Sequence, residues 1–270
     1  MYCTKCGLKV QGGDAFCVSC GAKIAAQQQN SGQRGAYSDN QAPKSLSLYD
    51  GQDLAAELKP GSVIEFGSYP QTMELGSSTQ STPISWVVLH IDTQTKEALL
   101  TSKDVLDCRK YHGKKRTVTW QDSEIRRWLN AEFFNRAFNT AEKQRIIKTL
   151  CAGNGAFSSD DLPRTTDYVF LLNSYEAAFF GADANRIAQG TEYAKAKKTD
   201  GTCLFTYGWD DKARWWLRNR GKGGSVCVAY VQDCGNIYEH GHDVDEKHYG
   251  VRPAIRVKLE PEMFSATSDG

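Results

Sequence analysis

The first twenty residues constrain the chain most, because they hold two C-x-x-C pairs, Cys3 with Cys6 and Cys17 with Cys20. A glycine follows the second cysteine of each pair, and glycine tolerates the positive φ that closes such a turn. Each turn points two thiolates at one place, so the two turns together offer the four sulfur ligands of a tetrahedral zinc site. We therefore predict a zinc ribbon over residues 1–24 with these four cysteines as ligands.

Zinc would be structural in this ribbon. A segment of about 24 residues buries too little apolar surface to fold alone, so metal binding would supply the folding free energy, on the order of 10 kcal/mol or more. Four protein ligands leave no open coordination position, which excludes a catalytic role for this metal. The alternative reading of the two pairs is redox-active or disulfide-bonded cysteines. The segment resembles the small zinc ribbons at the N-terminus of many bacterial proteins.

The composition then changes twice. Residues 25–45 are rich in Gln, Asn, Ser and Gly, which predicts a flexible linker. Residues 46–260 are enough for one domain with a full core, and residues 261–270 are a tail. The formal net charge is only +1, which disfavours nucleic acid as the default partner. No apolar run is long enough for a membrane span and the N-terminus lacks a signal peptide, so we expect a cytoplasmic protein with no membrane partner.

The pattern of the domain indicates a mixed α+β class. Residues 62–67 and 84–91 predict strands, and the second continues through a polar stretch into residues 97–102 as a β-hairpin. Helical spacing predicts one amphipathic helix over residues 121–138. The final third predicts strands broken by glycines, at residues 215–218, 226–232, 236–240 and 252–259.

Polar side chains mark the helix starts. Asp122 or Ser123 can cap the helix over residues 121–138. Residues 139–142 have capping-box spacing and predict a helix that carries the apolar residues up to Leu150. A second capping box, at residues 173–176, follows a predicted buried strand at residues 167–172. Residues 192–198 predict a short helix.

Several spaced motifs resemble those of an uncharacterised bacterial domain family with a WWLR…GVRPA signature. The matching segments are residues 66–71, 120–130, 214–218, 228–231, Gly235 and 250–255. That family is similar to the C-type-lectin-like fold of formylglycine-generating enzymes and of the variable proteins of diversity-generating retroelements. The resemblance implies a lectin-like α+β domain. Trp215, Trp216 and Leu217 are too apolar to be left exposed, and Arg252 precedes a proline that fixes the entry to the last strand, so we expect these four residues to be scaffold. The resemblance also implies that residues 220–249 could be a diversified binding surface.

The composition of residues 220–249 motivates a binding hypothesis. Aromatic and hydrogen-bonding side chains stand there among glycines, as in antibody loops. We predict a non-catalytic surface for a protein or other macromolecular ligand, the alternative being a solvated loop with packed tyrosines. The predicted ligand-binding residues are Arg220, Tyr230, Gln232, Asn236, Tyr238, His240 and His242.

Two other chemistries could use the same region. Residues 239–248 contain three His, two Asp and two Glu, which could hold a second metal such as calcium. A formylglycine-generating-type oxidase would need a reactive pair among Cys203, Cys227 and Cys234. The last two are seven residues apart, so in one regular strand they would face opposite sides. Small buried thiols explain them better than catalysis does, and we expect no enzyme activity.

The alternative function is nucleic-acid binding. Residues 109–116 carry five positive charges and no acid, and such a basic loop could contact phosphates in a salt-dependent way. Residues 233–246 form an acidic stretch elsewhere in the sequence. These two local surfaces are where a partner should be sought.

Overall fold

The computed structural model describes residues 58–72, 81–152, 163–196, 206–207 and 211–259. The chain divides into two units, Met1–Lys44 and Ser45–Gly270, and every described residue belongs to the second unit. The predicted zinc ribbon, linker and tail lie outside the described residues, as does Cys203.

The described part is a mixed α+β domain built mainly from strands. Its strands are β1 (Val63–Pro70), β2 (Ser81–Asp92), β3 (Glu97–Ser102), β4 (Asp107–Cys108), β5 (Thr149–Cys151), β6 (Thr165–Asp167), β7 (Thr206–Tyr207), β8 (Lys212–Ala213), β9 (Trp215–Arg220), β10 (Cys227–Val231), β11 (Ile237–Asp243), β12 (Gly250–Val251) and β13 (Ala254–Lys258).

The helices are short and lie between β4 and β7. They are α1 (Glu124–Trp128), α2 (Phe134–Ala137), α3 (Thr140–Arg145), α4 (Ser174–Ala177) and α5 (Glu192–Ala196). A π-helical turn, Leu129–Phe133, joins α1 to α2, and 3₁₀ turns cover Ala178–Phe180 and Asp183–Arg186.

A four-stranded antiparallel sheet has the order β1-β2-β3-β13. Ile84, Trp86 and Val88 alternate along β2 and are fully buried, which is the pattern of a strand with one face on the core. The predicted hairpin of β2 and β3 is confirmed. Asp92 Oδ1 closes its turn by accepting hydrogen bonds from the backbone N–H groups of Gln94 (2.9 Å) and Thr95 (3.1 Å).

The second sheet has five strands in the order β11-β10-β9-β12-β4, and β12 runs parallel to β9. Trp215, Trp216 and Leu217 on β9 are fully buried, as predicted, because the central strand is covered on both faces. The strand β11 lies at the edge of this sheet, where its outward side chains reach the surface.

Both predicted capping boxes are confirmed. Asn139 and Glu142 cap α3 reciprocally, and Asn173 and Glu176 do the same for α4. Ser123, one of the two predicted residues, caps α1 by accepting from the N–H of Arg126.

The prediction that α3 carries the apolar residues up to Leu150 is wrong. The helix ends at Arg145, and Ile146 instead forms a bridge with Val257 of β13. Leu150 lies on β5 and is exposed. Residues 167–172 are also not one strand, since β6 ends at Asp167, although Val169 and the three residues after it are fully buried.

Arg252 is buried, as the scaffold prediction required. Its Nε donates to the carbonyl of Ser102 (2.7 Å) and its Nη1 to the carbonyl of Arg186 (3.1 Å). The guanidinium lies 4.7 Å from the ring centroid of Phe180 and 5.0 Å from that of Trp215. Arg252 therefore links the end of β3 to the 3₁₀ turn Asp183–Arg186 through their backbone carbonyls, and it packs against the faces of two rings. Among the described residues, no helix is both long and apolar enough to cross a membrane.

Candidate binding surface

The edge strand β11 presents three of the predicted ligand-binding residues together. Tyr238, His240 and His242 lie two residues apart along it and are all exposed. The strand bulges between Tyr238 and His242, where the register against β10 shifts and Gly241 has a φ of +83°. Tyr238 is 39% exposed, and its ring centroid lies 6.1 Å from that of His240. We call the surface formed by these three side chains the ring face.

Buried rings support the ring face from beneath. Tyr230 of β10 is opposite Tyr238 in the strand register, and their ring centroids are 5.2 Å apart. Tyr249 contacts Tyr230 at 4.7 Å and stacks on Trp216 at 4.2 Å. Such ring pairs add free energy beyond the area that they bury. The exposed rings therefore stand on a rigid aromatic base that continues into the core.

Tyr230 is part of this base and is only 4% exposed. Only the edge of the Tyr230 ring can reach a ligand, whereas the ring of Tyr238 is exposed. Burial raises the pKa of Tyr249, and a hydrogen bond with Tyr230 raises it further. Tyr249 was not among the predicted site residues. The only sequence signal for it was its place beside the GVRPA segment.

The other predicted ligand-binding residues border the ring face. Gln232 and Asn236 belong to the turn between β10 and β11, where the N–H of Gln232 donates to the carbonyl of Asn236 (2.8 Å). Asn236 is exposed and Gln232 half-buried. Arg220 is the last residue of β9. It pairs with Val228 of β10, and Val228 pairs with His242 of β11. The strand pairing places Arg220 beside His242 at one end of β10 and the turn with Gln232 and Asn236 at the other, so the seven predicted residues lie along the β9-β10-β11 side of one sheet without forming a single cluster.

Gly235 holds that turn against the rest of the domain. Its φ is +88°, and a Cβ at this position would lie 1.9 Å from the carbonyl oxygen of Asp183. The carbonyl of Gly235 accepts a hydrogen bond from Arg186 Nε (2.7 Å). Only glycine combines this backbone conformation with this close approach.

Ion pairs neutralise the charges around the ring face. Three cations bind three carboxylates at N···O distances of 2.5, 2.5 and 3.2 Å: Lys115 with Asp243, Lys222 with Glu239, and Arg214 with Asp233. The basic loop and the acidic stretch are in contact with each other. Lys115 of the basic loop binds Asp243 of the acidic stretch, and the N–H of His112 donates to the carbonyl of Val244 (2.8 Å).

The basic loop is also less exposed than its charge predicts. Tyr111 and His112 are buried, and the guanidinium of Arg109 lies 4.1 Å from the ring centroid of Trp128. Arg116 donates from Nε to Nε2 of His112 (3.0 Å). These contacts reduce the number of cations free to meet phosphates.

The geometry does not favour the second metal predicted for residues 239–248. His242 and His248 approach opposite oxygens of Glu246, at 3.5 and 3.7 Å. Among the described residues, no group of three or more His, Cys, Asp or Glu side chains is placed to hold a metal ion.

Cys151 and Cys227 have environments that disfavour the thiolate. The strand β10 ends at Val231, so Cys227 lies on the strand and Cys234 beside it. Cys234 is exposed in the turn and Cys227 is half-buried. Burial and the neighbouring Asp243 raise the pKa of Cys227, and burial raises the pKa of Cys151 to about 12. Reactive cysteines have lowered pKa values, because the thiolate is the nucleophile.

Two protein-family models match the chain. A zinc-ribbon domain matches residues 2–24, which contain all four predicted zinc ligands. A domain of unknown function, DUF6273, matches residues 95–259, well over half of the chain. No curated protein and no solved structure matches it. The chain therefore has an N-terminal zinc-ribbon domain followed by a DUF6273 domain. Zinc-ribbon domains bind zinc through thiolates.

Proposed function

This chain belongs to the DUF6273 domain family, and we propose that it is a non-catalytic binding protein whose ring face binds a protein or another macromolecular ligand. One observation carries the proposal: at the edge of a sheet, the exposed rings of Tyr238 and His242 contact the buried rings of Tyr230 and Tyr249, and the exposed ring of His240 lies beside that of Tyr238. A rigid support lowers the entropy lost when exposed side chains bind a partner.

The chemistry of the surface favours an uncharged or charge-balanced partner. Tyrosine offers ring area and a hydroxyl at a low entropy cost, and imidazoles, amides and hydroxyls exchange hydrogen bonds in either direction. The ion pairs of Lys115, Lys222 and Arg214 leave little net charge beside the rings. Affinity should therefore change little with salt, in contrast to a phosphate-binding surface.

The finer proposal is a C-type-lectin-like domain that serves as the variable protein of a diversity-generating retroelement. Its support is the motif resemblance together with the placement of residues 220–249 at one end of a sheet whose central strand is buried. The flanking DNA tests it. An imperfect repeat of the segment that encodes residues 215–256, differing at adenines and accompanied by a reverse transcriptase gene, is expected. If no such repeat is present, the variable-protein role is refuted and the binding proposal is unaffected.

The ribbon would act as a tethered module for association with other proteins. A small module on a flexible linker raises the effective concentration of whatever it binds, without taking part in chemistry. We also propose that the protein is cytoplasmic, because Cys151, Cys227 and Cys234 are free thiols and reducing compartments preserve thiols.

A capture experiment tests the binding function. The full-length chain is used to capture partners from the lysate of its source cells, next to a Tyr238→Ala/His240→Ala/His242→Ala variant. A matched control carries Gln121→Ala, Glu132→Ala and Gln144→Ala, which change exposed side chains away from β11. All six positions are exposed, so both variants should fold as the wild type does.

We expect one or more partners to bind the wild type and the control and to be lost from the β11 variant. Affinity measured with the purified partner should fall at least tenfold, since buried tyrosines are frequent hot spots. Partners that bind all three proteins equally would contradict the proposed function.

A further inference from the structure

The basic loop, residues 109–116, folds over one buried histidine. The side chain of His112 is 3% exposed, and its backbone N–H donates to Val244 in the connection between β11 and β12. The preceding residue, Tyr111, accepts from the N–H of Ile125 in α1 (3.2 Å). His112 therefore lies where the loop, the helix α1 and the β11-β12 connection meet.

The hydrogen bonds of His112 define its neutral tautomer. Nε2 accepts a hydrogen bond from Arg116 Nε (3.0 Å), so the ring proton is on Nδ1. Nδ1 is buried and has no hydrogen-bond partner among the described residues. The nearest carboxylate oxygen is Glu124 Oε1, at 3.6 Å, while Glu124 Oε2 accepts from the N–H of Gly113 (3.0 Å).

Charged groups from three sides act on the ring. Burial lowers the pKa of His112 and the cations Arg116 and Arg127 lower it further, whereas Glu124 and Asp122 raise it. From the β11-β12 side, Asp243 is already bound to Lys115, and Asp245 also acts on Lys115. The neutral ring is therefore the form that this environment favours near pH 7.

We propose that His112 is a proton-controlled latch for the basic loop. A proton from solvent binds the Nε2 lone pair, and the hydrogen bond from Arg116 Nε breaks because Nε2 can no longer accept. Arg116, whose side chain reaches solvent, then turns away from the new positive charge. The imidazolium closes the 3.6 Å gap to Glu124 and forms an ion pair. The proton is the only species taken up, and its release restores the latch.

The open latch would leave the segment 113–116 held by two contacts, Lys115 with Asp243 and Gly113 with Glu124. Asp243 follows His242 of the ring face, so opening would loosen one border of that surface. This consequence for binding rests on the proposed function, whereas the latch itself is tested on the free protein.

NMR of the full-length chain tests the latch between about pH 7.5 and pH 5, the range in which histidines exchange protons. The Arg116 Nε–H chemical shift should move from its hydrogen-bonded value toward that of a solvated arginine as the His112 ring titrates. In His112→Gln the amide oxygen replaces Nε2 as acceptor without titrating, so the shift should stay constant throughout. The control His248→Gln changes an exposed histidine that binds Glu246 and should behave as the wild type does.

A second variant tests the latch even if His112→Gln does not fold. Arg116→Gln removes one cation beside the ring, so the His112 pKa should shift upward while the fold is unchanged. The latch is refuted if the Arg116 Nε–H shift is unchanged through the titration of His112, if in His112→Gln it moves at the same pH as in the wild type, or if Arg116→Gln leaves the His112 titration unmoved. A partner that still binds while the latch fails would leave the proposed function standing.

Discussion

Arg218 binds Glu176 through both of its terminal nitrogens inside the domain: Nη1 donates to Oε2, and Nη2 donates to Oε1 over 3.0 Å. Arg218 also donates to the carbonyls of Leu171 (2.8 Å) and Ala152 (3.1 Å). Glu176 accepts in addition from the N–H of Asn173 at the start of α4. The pair therefore ties the central strand β9 to the cap of a helix, with the remaining polar atoms of both groups in use.

Removing one partner of this pair should strongly destabilise the domain. Glu176→Gln or Arg218→Met leaves a buried group without its counter-charge, and we expect a loss of about 3–5 kcal/mol in the free energy of unfolding. The double variant should lose less than the sum of the two single losses. Urea denaturation measures all three. Lys195→Gln, which breaks the more exposed pair with Asp211, should cost less than about 1 kcal/mol; strictly additive losses would contradict the coupling.

The glycine of the β10-β11 turn, Gly235, gives a second prediction about stability, with Gly181 as its control. Gly235→Ala forces a Cβ into the Asp183 carbonyl, while Gly181→Ala, at a φ of +75°, has no atom within 4 Å of its Cβ. Gly181→Ala should cost only the strain of a backbone conformation that L residues rarely adopt, φ +75° with ψ −92°, about 1–3 kcal/mol. Gly235→Ala should cost clearly more, because the backbone must move. Thermal denaturation compares the two, and equal losses would exclude the close approach as the cause.

Stability should fall as the pH drops through the histidine range. Burial lowers the pKa of both His90 and His112, and Arg256 lowers that of His90 further. The unfolded chain then binds more protons than the folded chain, so stability is complete above the unfolded pKa of about 6.5 and declines below it. The urea midpoint at successive pH values measures this. Replacing both histidines with Gln should flatten the dependence between about pH 7 and pH 5, and an unchanged slope would contradict it.

Zinc content tests the ribbon. We expect one zinc ion per full-length chain by elemental analysis, and none in a chain that begins at residue 46. Cys3→Ser with Cys6→Ser should abolish zinc binding, because two thiolates cannot complete a tetrahedral site. Cys151→Ser, at a buried cysteine of the second unit, should retain the metal. Stoichiometric metal in the shorter chain would place a site outside the ribbon.

Features of the fold that depend on neighbours in sequence could be predicted. The β2-β3 hairpin and both capping boxes follow from side chains two to five residues apart, whose interactions form wherever the segment lies. The burial of Trp215 and Trp216 could be predicted from their apolarity alone. The ring face could be predicted in part, because Tyr238, His240 and His242 alternate in a run with strand character.

Features that depend on distant pairing could not be predicted. Ile146 continues the helical pattern of α3, but its backbone bridges to Val257, more than a hundred residues away. His112 stands in a strongly basic run, and only the packing of that run against Val244 and α1 buries it. Tyr249 stacks on Trp216 because β12 pairs with β9, a parallel contact that no local pattern indicates.

The pairing of β13 with β3 also determines when the domain can finish folding. The β1-β2-β3 meander emerges early from the ribosome, but its edge partner is supplied only after Lys258 has left the exit tunnel. Until then β3, whose residues are almost all buried in the finished sheet, has an open apolar edge of the kind that pairs with other chains. Nascent chains halted before β13 should therefore depend on chaperones, and translation rate along the last third of the message becomes a determinant of yield.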